Sequence, residues 1–424
     1  MTQILPPTTH NLGALSQELI AKGQRYYTPN YKPREMILDR GKGARVWDLD
    51  GVEYVDLSAG IAVSSLGHQD PDLLAALHEQ AGKLWHTSNV FFTEPPIKLA
   101  EMLVETSGFA ERVYLCNSGA EANEAAIKLV RKYAADRGKP PESRNIITFV
   151  GSFHGRTLAT VTATAQPKYQ HGFEPLPGGF VYCERFNDDA AIKALVDEHT
   201  AAIFVEPVQG EGGVMPAKPG YLQHLRALCD KVGALLVVDE IQAGMGRTGT
   251  LYAHTQDEVV PDVVTLAKAL GGGMPIGAML VGERAAQVFQ FGSHGSTFGG
   301  NPVMAAVGLA SLTKLASAPV QANVQVRAEQ LRTRLGAMHE MLGMFKEVRG
   351  RGLMIGAELL APWAGNANAM ADMARLHGVL VLVAGPNVLR FLPPLTITEE
   401  ELASGLDRLE AALVDYRKRY PDGA

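Results

Sequence analysis

Between residues 112 and 283 short apolar runs alternate with amphipathic stretches. The runs are RVYLCN, NIITFV, AAIFVEPV, ALLVVDEI, DVVTLA and GAMLVGE, and none shows the apolar–polar alternation of a half-exposed strand. Such runs are expected to be strands covered on both faces. The stretches 121–135 and 221–232 between them repeat their apolar residues at helical spacing. The pattern predicts an α/β fold, a mostly parallel central sheet covered by helices.

The texture changes on either side of this block. YKPREMILDRGKGARVWDLDGVEYVDL reads as short strands and hairpin turns, and beyond about residue 301 helical runs give way to FKEVRGRGLMIGAEL and VLVLVAGPNVLRFLPPL, an α+β pattern. The expected organisation is an N-terminal segment, 1–75, contributing to a small domain, a large domain over 76–303 and a C-terminal small domain over 304–424. No low-complexity block or repeat points to a solenoid.

Composition narrows the partners. A chain of 424 residues with 20% charged residues and a net charge of -6 has no broad positive field, which argues against nucleic acid and membrane surfaces and for a small molecule. Cys116, Cys183 and Cys229 are odd in number and form no C-x-x-C pair, so neither a disulfide framework nor a zinc cluster is expected. The opening MTQILPPTTHNLGALSQELI lacks the basic and apolar regions of an export signal, and no uncharged apolar run reaches a spanning length. A cytoplasmic location is expected.

VVDEIQAGMGRTG contains a G-x-G-x-x-G match in Gly244, Gly246 and Gly249. A dinucleotide fingerprint needs a helix after the glycines and an acid at the end of the following strand. Here no helical spacing follows, Pro261 interrupts, and the next strand runs into Lys268. The glycines read as a tight loop.

Chemistry lies beside them. Asp239 ends an otherwise apolar strand and wants a cationic partner, or serves as a cap or structural ion pair. Lys268 follows a buried strand and precedes ALGGG. Desolvated there, it loses its proton readily and forms a Schiff base with an aldehyde; the ordinary alternative is a snorkelling surface lysine. Ser118, Gly119 and Ala120 make the turn into a long helix, a site for an anion as well as for ordinary capping. In GSFHGRT, Phe153 can stack on a planar ring or sit in the core, and Arg156 can grip a carboxylate or a surface acid. His154 has no second histidine at ligand spacing, and none of the twelve histidines stands in H-E-x-x-H, so no metal site is expected. A phosphate turn, a stacking aromatic, a buried acid, a reactive lysine and a carboxylate-binding arginine form the set that pyridoxal 5'-phosphate needs.

With these residues in hand the chain resembles the class III (ornithine-type) aminotransferases of fold type I. The resemblance runs through VWDLDGVEYVDLSAGIAVSSLGH, CNSGAEANEAAIKLVR, FHGRT, VEPVQGEGG, VVDEIQAGMGRTG, LAKALGGGMPIGAM, STFGGNP and VRGRGLMIG in the family's order. Within the class, FHGRT, GTLYAH and VLVAGPNVLRFLPPLTITEEEL look most like the acetylornithine and succinylornithine branch. The resemblance implies pyridoxal 5'-phosphate bound covalently to Lys268, with Asp239 at its pyridine nitrogen and Gln242 near its phenolic oxygen. It implies Ser118, Gly119 and Ala120 at the phosphate, Phe153 on the ring, and His154 and Glu206 among the cofactor contacts. Thr297 matches a threonine that reaches the phosphate from the other subunit, implying a homodimer with shared sites. Arg156, Glu211, Arg390, Tyr31 and Ser296 fall on the substrate side. The implied reaction moves the ω-amino group of an acyl-ornithine to 2-oxoglutarate, giving glutamate. Ornithine or 4-aminobutyrate as donor, or a racemase or mutase on the same framework, remain alternatives.

Overall fold

The computed structural model describes residues 12–421. Of the opening stretch read for an export signal, residues 1–11 lie outside the described residues. At the centre is a seven-stranded sheet in the order Ala110–Cys116, Gly277–Gly282, Val263–Leu266, Leu235–Asp239, Thr200–Val205, Asn145–Phe149, Phe180–Cys183. Neighbours pair in parallel except Gly277–Gly282, which is antiparallel to both its partners. The reversal follows from chain length. Only a short 3-10 turn at Lys268–Leu270 and a glycine loop separate Val263–Leu266 from Gly277–Gly282, whereas a parallel return needs a crossover of a dozen or more residues.

All six expected strands are present. The edge strand Phe180–Cys183 was not among them; it is only four residues long, and all but Cys183 are partly exposed. Every residue of Leu235–Asp239 is buried, each large apolar side chain there contributing about 1.5–3 kcal/mol relative to exposure. The helix Gly119–Asp136 begins at Ser118, whose side chain accepts from the Glu121 amide, and lays Ala122, Ala126, Leu129, Val130 and Tyr133 against the sheet. The helix Tyr221–Val232 buries Leu222, Leu225 and Cys229 and stops at Gly233, whose φ of 72° suits a residue without a Cβ.

The two chain ends meet. Leu38–Lys42, Arg45–Asp48 and Glu53–Asp56 form one sheet with Val379–Leu380, Val55 lying opposite Val379. A second small sheet runs Phe345–Arg351, Met354–Leu359, Val388–Phe391, Leu382–Val383, all antiparallel. The expected boundaries at 75/76 and 303/304 fall inside the helices Pro71–Ala81 and Pro302–Leu315, which pack on one another. Among the described residues, no single helix is long and apolar enough to cross a membrane, and no three metal-ligating side chains gather. The three cysteines are buried and unpaired.

Candidate active site

The carboxyl ends of the parallel strands, where such sheets receive ligands, open on one cavity of about 430 Å³. Each strand delivers its chemistry just past its last residue. Ser118, Gly119 and Ala120 follow Cys116, the loop of Phe153, His154 and Arg156 follows Phe149, and Glu206 follows Val205. Asp239 closes its strand with Gln242 beyond it, and Lys268 follows Leu266. All ten of these residues line the cavity.

Asp239 is buried and held on three sides. Its Oδ2 accepts from Asn123 Nδ2 at 2.8 Å and lies 2.8 Å from His154 Nδ1, while Oδ1 accepts from the Ile241 amide at 3.0 Å. A carboxylate at Nδ1 places the His154 proton there. Asn123 also donates to the His154 carbonyl at 2.7 Å. Sequence reasoning missed Asn123, although a buried polar residue on the apolar face of a helix between Ala122 and Ala126 is a readable signal.

Lys268 has a φ of 45°, the left-handed region that a residue with a side chain adopts only when its surroundings impose it. Burial, then the charge of Arg390, pushes its amine down to about 8 against the opposing pull of Glu211, Asp239 and Glu206. The amine therefore gives up its proton near physiological pH far more readily than an ordinary lysine, as a nucleophile requires. Glu206 accepts from the Phe153 amide at 2.9 Å and the Gly210 amide at 3.2 Å. Burial raises its carboxyl above the ordinary range, with His154 opposing and Asp239 reinforcing the shift.

At the turn into Gly119–Asp136, a Cβ on Gly119 would lie 2.7 Å from Ile241 Cδ1, so only glycine allows this approach. The first residues of the helix line the cavity, and an anion at such a helix start is favoured by about 0.3–1 kcal/mol, rising to about 2 when partly buried. Phe153 stands edge-on to Tyr169, and the exposed Arg156 guanidinium lies 5.4 Å and 3.9 Å from those two rings. Behind the cavity the buried Arg390 Nη1 meets Glu211 Oε1 at 2.6 Å, the Gly210 carbonyl at 3.0 Å and Gln242 Oε1 at 3.3 Å.

Three expected residues lie elsewhere. Tyr31 is 82% exposed and lines no part of this cavity in its own chain. Ser296 and Thr297 line a neighbouring hollow of about 440 Å³ with Asn89, Phe91 and Phe92. Its link to the cavity is Asn117 Nδ2, which donates to Ser296 Oγ at 3.1 Å. The glycine triplet is a turn, with φ of 86° at Gly246 and 104° at Gly249, and no α-helix follows it before the strand Val263–Leu266. Within it Arg247, also missed, is fully buried and donates to the Leu353 and Pro393 carbonyls and to Ser65 Oγ.

The residues suit pyridoxal phosphate. Lys268 offers an amine whose proton burial loosens, Asp239 offers a fixed buried acid, and a helix start and an aromatic ring stand at the same cavity. These are partners for an aldehyde, a pyridine nitrogen, a phosphate and a planar ring.

Residues 26–413 match the family model for aminotransferase class III. An acetylornithine aminotransferase of Xanthomonas axonopodis pv. citri is 63% identical over 392 residues, covering 92% of this chain and 96% of that one. A succinylornithine transaminase of Citrobacter koseri is 50% identical over 385 residues, covering 91% and 94%. The ornithine aminotransferase of Toxoplasma gondii, solved with partial occupancy of PLP at its active site, superposes with a TM-score of 0.92 at 36% identity over 96% of each chain. A family match over residues 26–413, with relatives this similar over nearly the whole chain, makes this protein a member of the pyridoxal-phosphate-dependent class III aminotransferases.

Proposed function

We propose that this enzyme moves the terminal amino group of N2-acetylornithine, or of N2-succinylornithine, to 2-oxoglutarate, giving the semialdehyde and glutamate in arginine metabolism. The observation that carries the reading is the Arg390–Glu211 ion pair behind the cavity. An ω-amine donor presents no carboxylate next to its reacting carbon, so Glu211 masks Arg390 while that donor is bound and Arg156 takes the distant α-carboxylate. When a dicarboxylic acid enters, Glu211 turns away and the two arginines hold its two ends. The 63% and 50% identities to acyl-ornithine enzymes, against 36% to an ornithine enzyme, support an acylated donor.

Pyridoxal phosphate supplies the aldehyde that captures the donor amine and a ring that withdraws electrons from the carbon losing its proton. The chain's residues do the rest. Asp239, oriented by Asn123 and His154, holds the proton on the ring nitrogen, and Gln242 serves the phenolic oxygen. Lys268, with a pKa near 8, takes and returns the substrate proton near neutral pH. Ser118, Gly119 and Ala120 receive the phosphate, Phe153 covers the ring, and Glu206 fixes the Phe153 and Gly210 amides on either side of the site.

Thr297 completes the phosphate site of a second copy, and Ser296 lies beside it, so the working unit is a homodimer. Supporting this, the hollow that Thr297 lines is bordered by the exposed rings of Phe91 and Phe92, and exposed aromatic clusters of this kind mark interfaces. The N-terminal segment and the C-terminal one form a small domain beside the large one, with the divisions at the helices Pro71–Ala81 and Pro302–Leu315, and the acidic charge balance and unpaired cysteines suit the cytoplasm.

A half-reaction screen tests the substrate. Bleaching of the cofactor's visible band is expected to show the highest kcat/KM with acetylornithine or succinylornithine. A preference for ornithine or 4-aminobutyrate overturns the acyl assignment, and failure to form glutamate from 2-oxoglutarate points to racemase or mutase chemistry.

A further inference from the structure

The segment carrying Glu211 is pinned at both ends by one row of the small sheet. In that sheet Arg349 lies opposite Gly356, and Gly356 lies opposite Arg390, so three adjacent strands place two arginines on either side of a glycine. Arg390 donates to the Gly210 carbonyl. Arg349 donates to the Gly213 carbonyl twice, from Nε at 3.0 Å and from Nη2 at 2.7 Å. Its Nη1 goes to Glu347 at 3.0 Å and to Glu358, so the buried guanidinium has no donor group left unused on the loop's side. Between the arginines, Gly356 makes room for Val214, whose Cβ would lie 2.9 Å from a Cβ at 356.

The loop backbone has little freedom between these pins. A Cβ on Gly210 would lie 2.5 Å from Gln242 Oε1, and one on Gly212 would lie 2.6 Å from the Gly151 carbonyl. Val214, β-branched, is held at a φ of 52°, a conformation such a residue takes only under constraint. Glu211 is left as the element with room to turn, its side chain 24% exposed.

We propose that Arg349 is a positioning residue for donor selectivity: its double grip on Gly213 holds the loop still, so that Glu211 engages and releases Arg390 by side-chain rotation over a fixed backbone. This rests on the Glu211–Arg390 gate described above. Arg349 lines no part of the cavity itself. A lysine there keeps the charge but cannot donate twice to one carbonyl while pairing with Glu358.

The test uses the holoenzyme and half-reactions with acetylornithine and with glutamate. Glu211→Ala is expected to shift the ratio of kcat/KM toward glutamate. Arg349→Lys is expected to shift it the same way by about threefold to tenfold, and the double variant is expected to shift no further than Glu211→Ala alone, because both act through one contact. Glu358→Gln, which loosens Arg349 while keeping a hydrogen-bond acceptor, serves as a second variant with a smaller shift in the same direction. If Glu211→Ala shifts the ratio while Arg349→Lys and Glu358→Gln lower both donors equally, or if the effects of Glu211→Ala and Arg349→Lys multiply, the positioning role is overturned and the gate stands. If Glu211→Ala leaves the ratio unchanged, the gate itself fails and this role with it.

Discussion

Lys268 is a cation kept where cations are poorly solvated. Its pKa in the fold, about 8, lies below the ordinary value of 10.5, so the unfolded chain binds more protons between those limits and the cofactor-free protein gains stability as pH rises through that window. Below pH 8 the charge is carried in both states and the full penalty applies. Lys268→Met removes it, so the cofactor-free variant is expected to exceed the cofactor-free wild type by about 1–3 kcal/mol at pH 7, the gap closing toward pH 10.5. Urea denaturation at pH 7 and 10.5 measures this, and an equal gap at both values refutes it. Asp239 is the complementary case. An acid paired with a cation at contact distance is worth about 4 kcal/mol at an effective dielectric of 20, so Asp239→Asn is expected to lower kcat about a thousandfold. Unchanged single-turnover rates would remove Asp239 from its role. Both positions stood out in the sequence because each places a charge at the end of an apolar run. Asn123, which holds Asp239 from a helix 116 positions earlier, did not, since no local spacing relates the two.

The elements explain why such scattered residues converge. Each parallel strand ends at the same edge of the sheet, and a polar residue placed one or two positions past an apolar run is carried there by the backbone. That rule is local and could be read directly, as the agreement of 221–232 with Tyr221–Val232 shows. The pairing of Gly277–Gly282 with the distant Ala110–Cys116 and the row Arg349, Gly356, Arg390 depend on contacts between distant segments, which apolar spacing does not encode. The turn proposed for the phosphate permits a test at this level. Gly119→Ala favours the helix by about 1 kcal/mol yet drives a Cβ to 2.7 Å from Ile241, so the turn must move. Cofactor affinity is expected to fall about tenfold, since each 1.4 kcal/mol of lost anion contact is one decade, with thermal stability nearly unchanged. Titration of the cofactor-free protein by fluorescence decides it, and an unaltered Kd would show that the turn does not bind the phosphate.

For the whole molecule the question is whether one chain contains a complete site. Lys268 and Asp239 line one cavity while Thr297 lines another, and the rings around the second are unusually bare, Phe92 being 94% and Phe91 70% exposed. A fold that leaves Thr297, the threonine proposed for the phosphate, beside an uncovered aromatic surface is explained if a second copy covers that surface and receives the threonine. Mixing two inactive variants distinguishes this from a site made within one chain. A dimer of Lys268→Ala with Thr297→Ala has one site carrying both defects and, if Thr297 acts across the interface, one site carrying neither. Subunit exchange between the two preparations is therefore expected to restore activity toward half that of wild type in each mixed dimer. If Thr297 serves its own chain, every site in the mixture keeps one defect and no activity returns, whatever the extent of exchange.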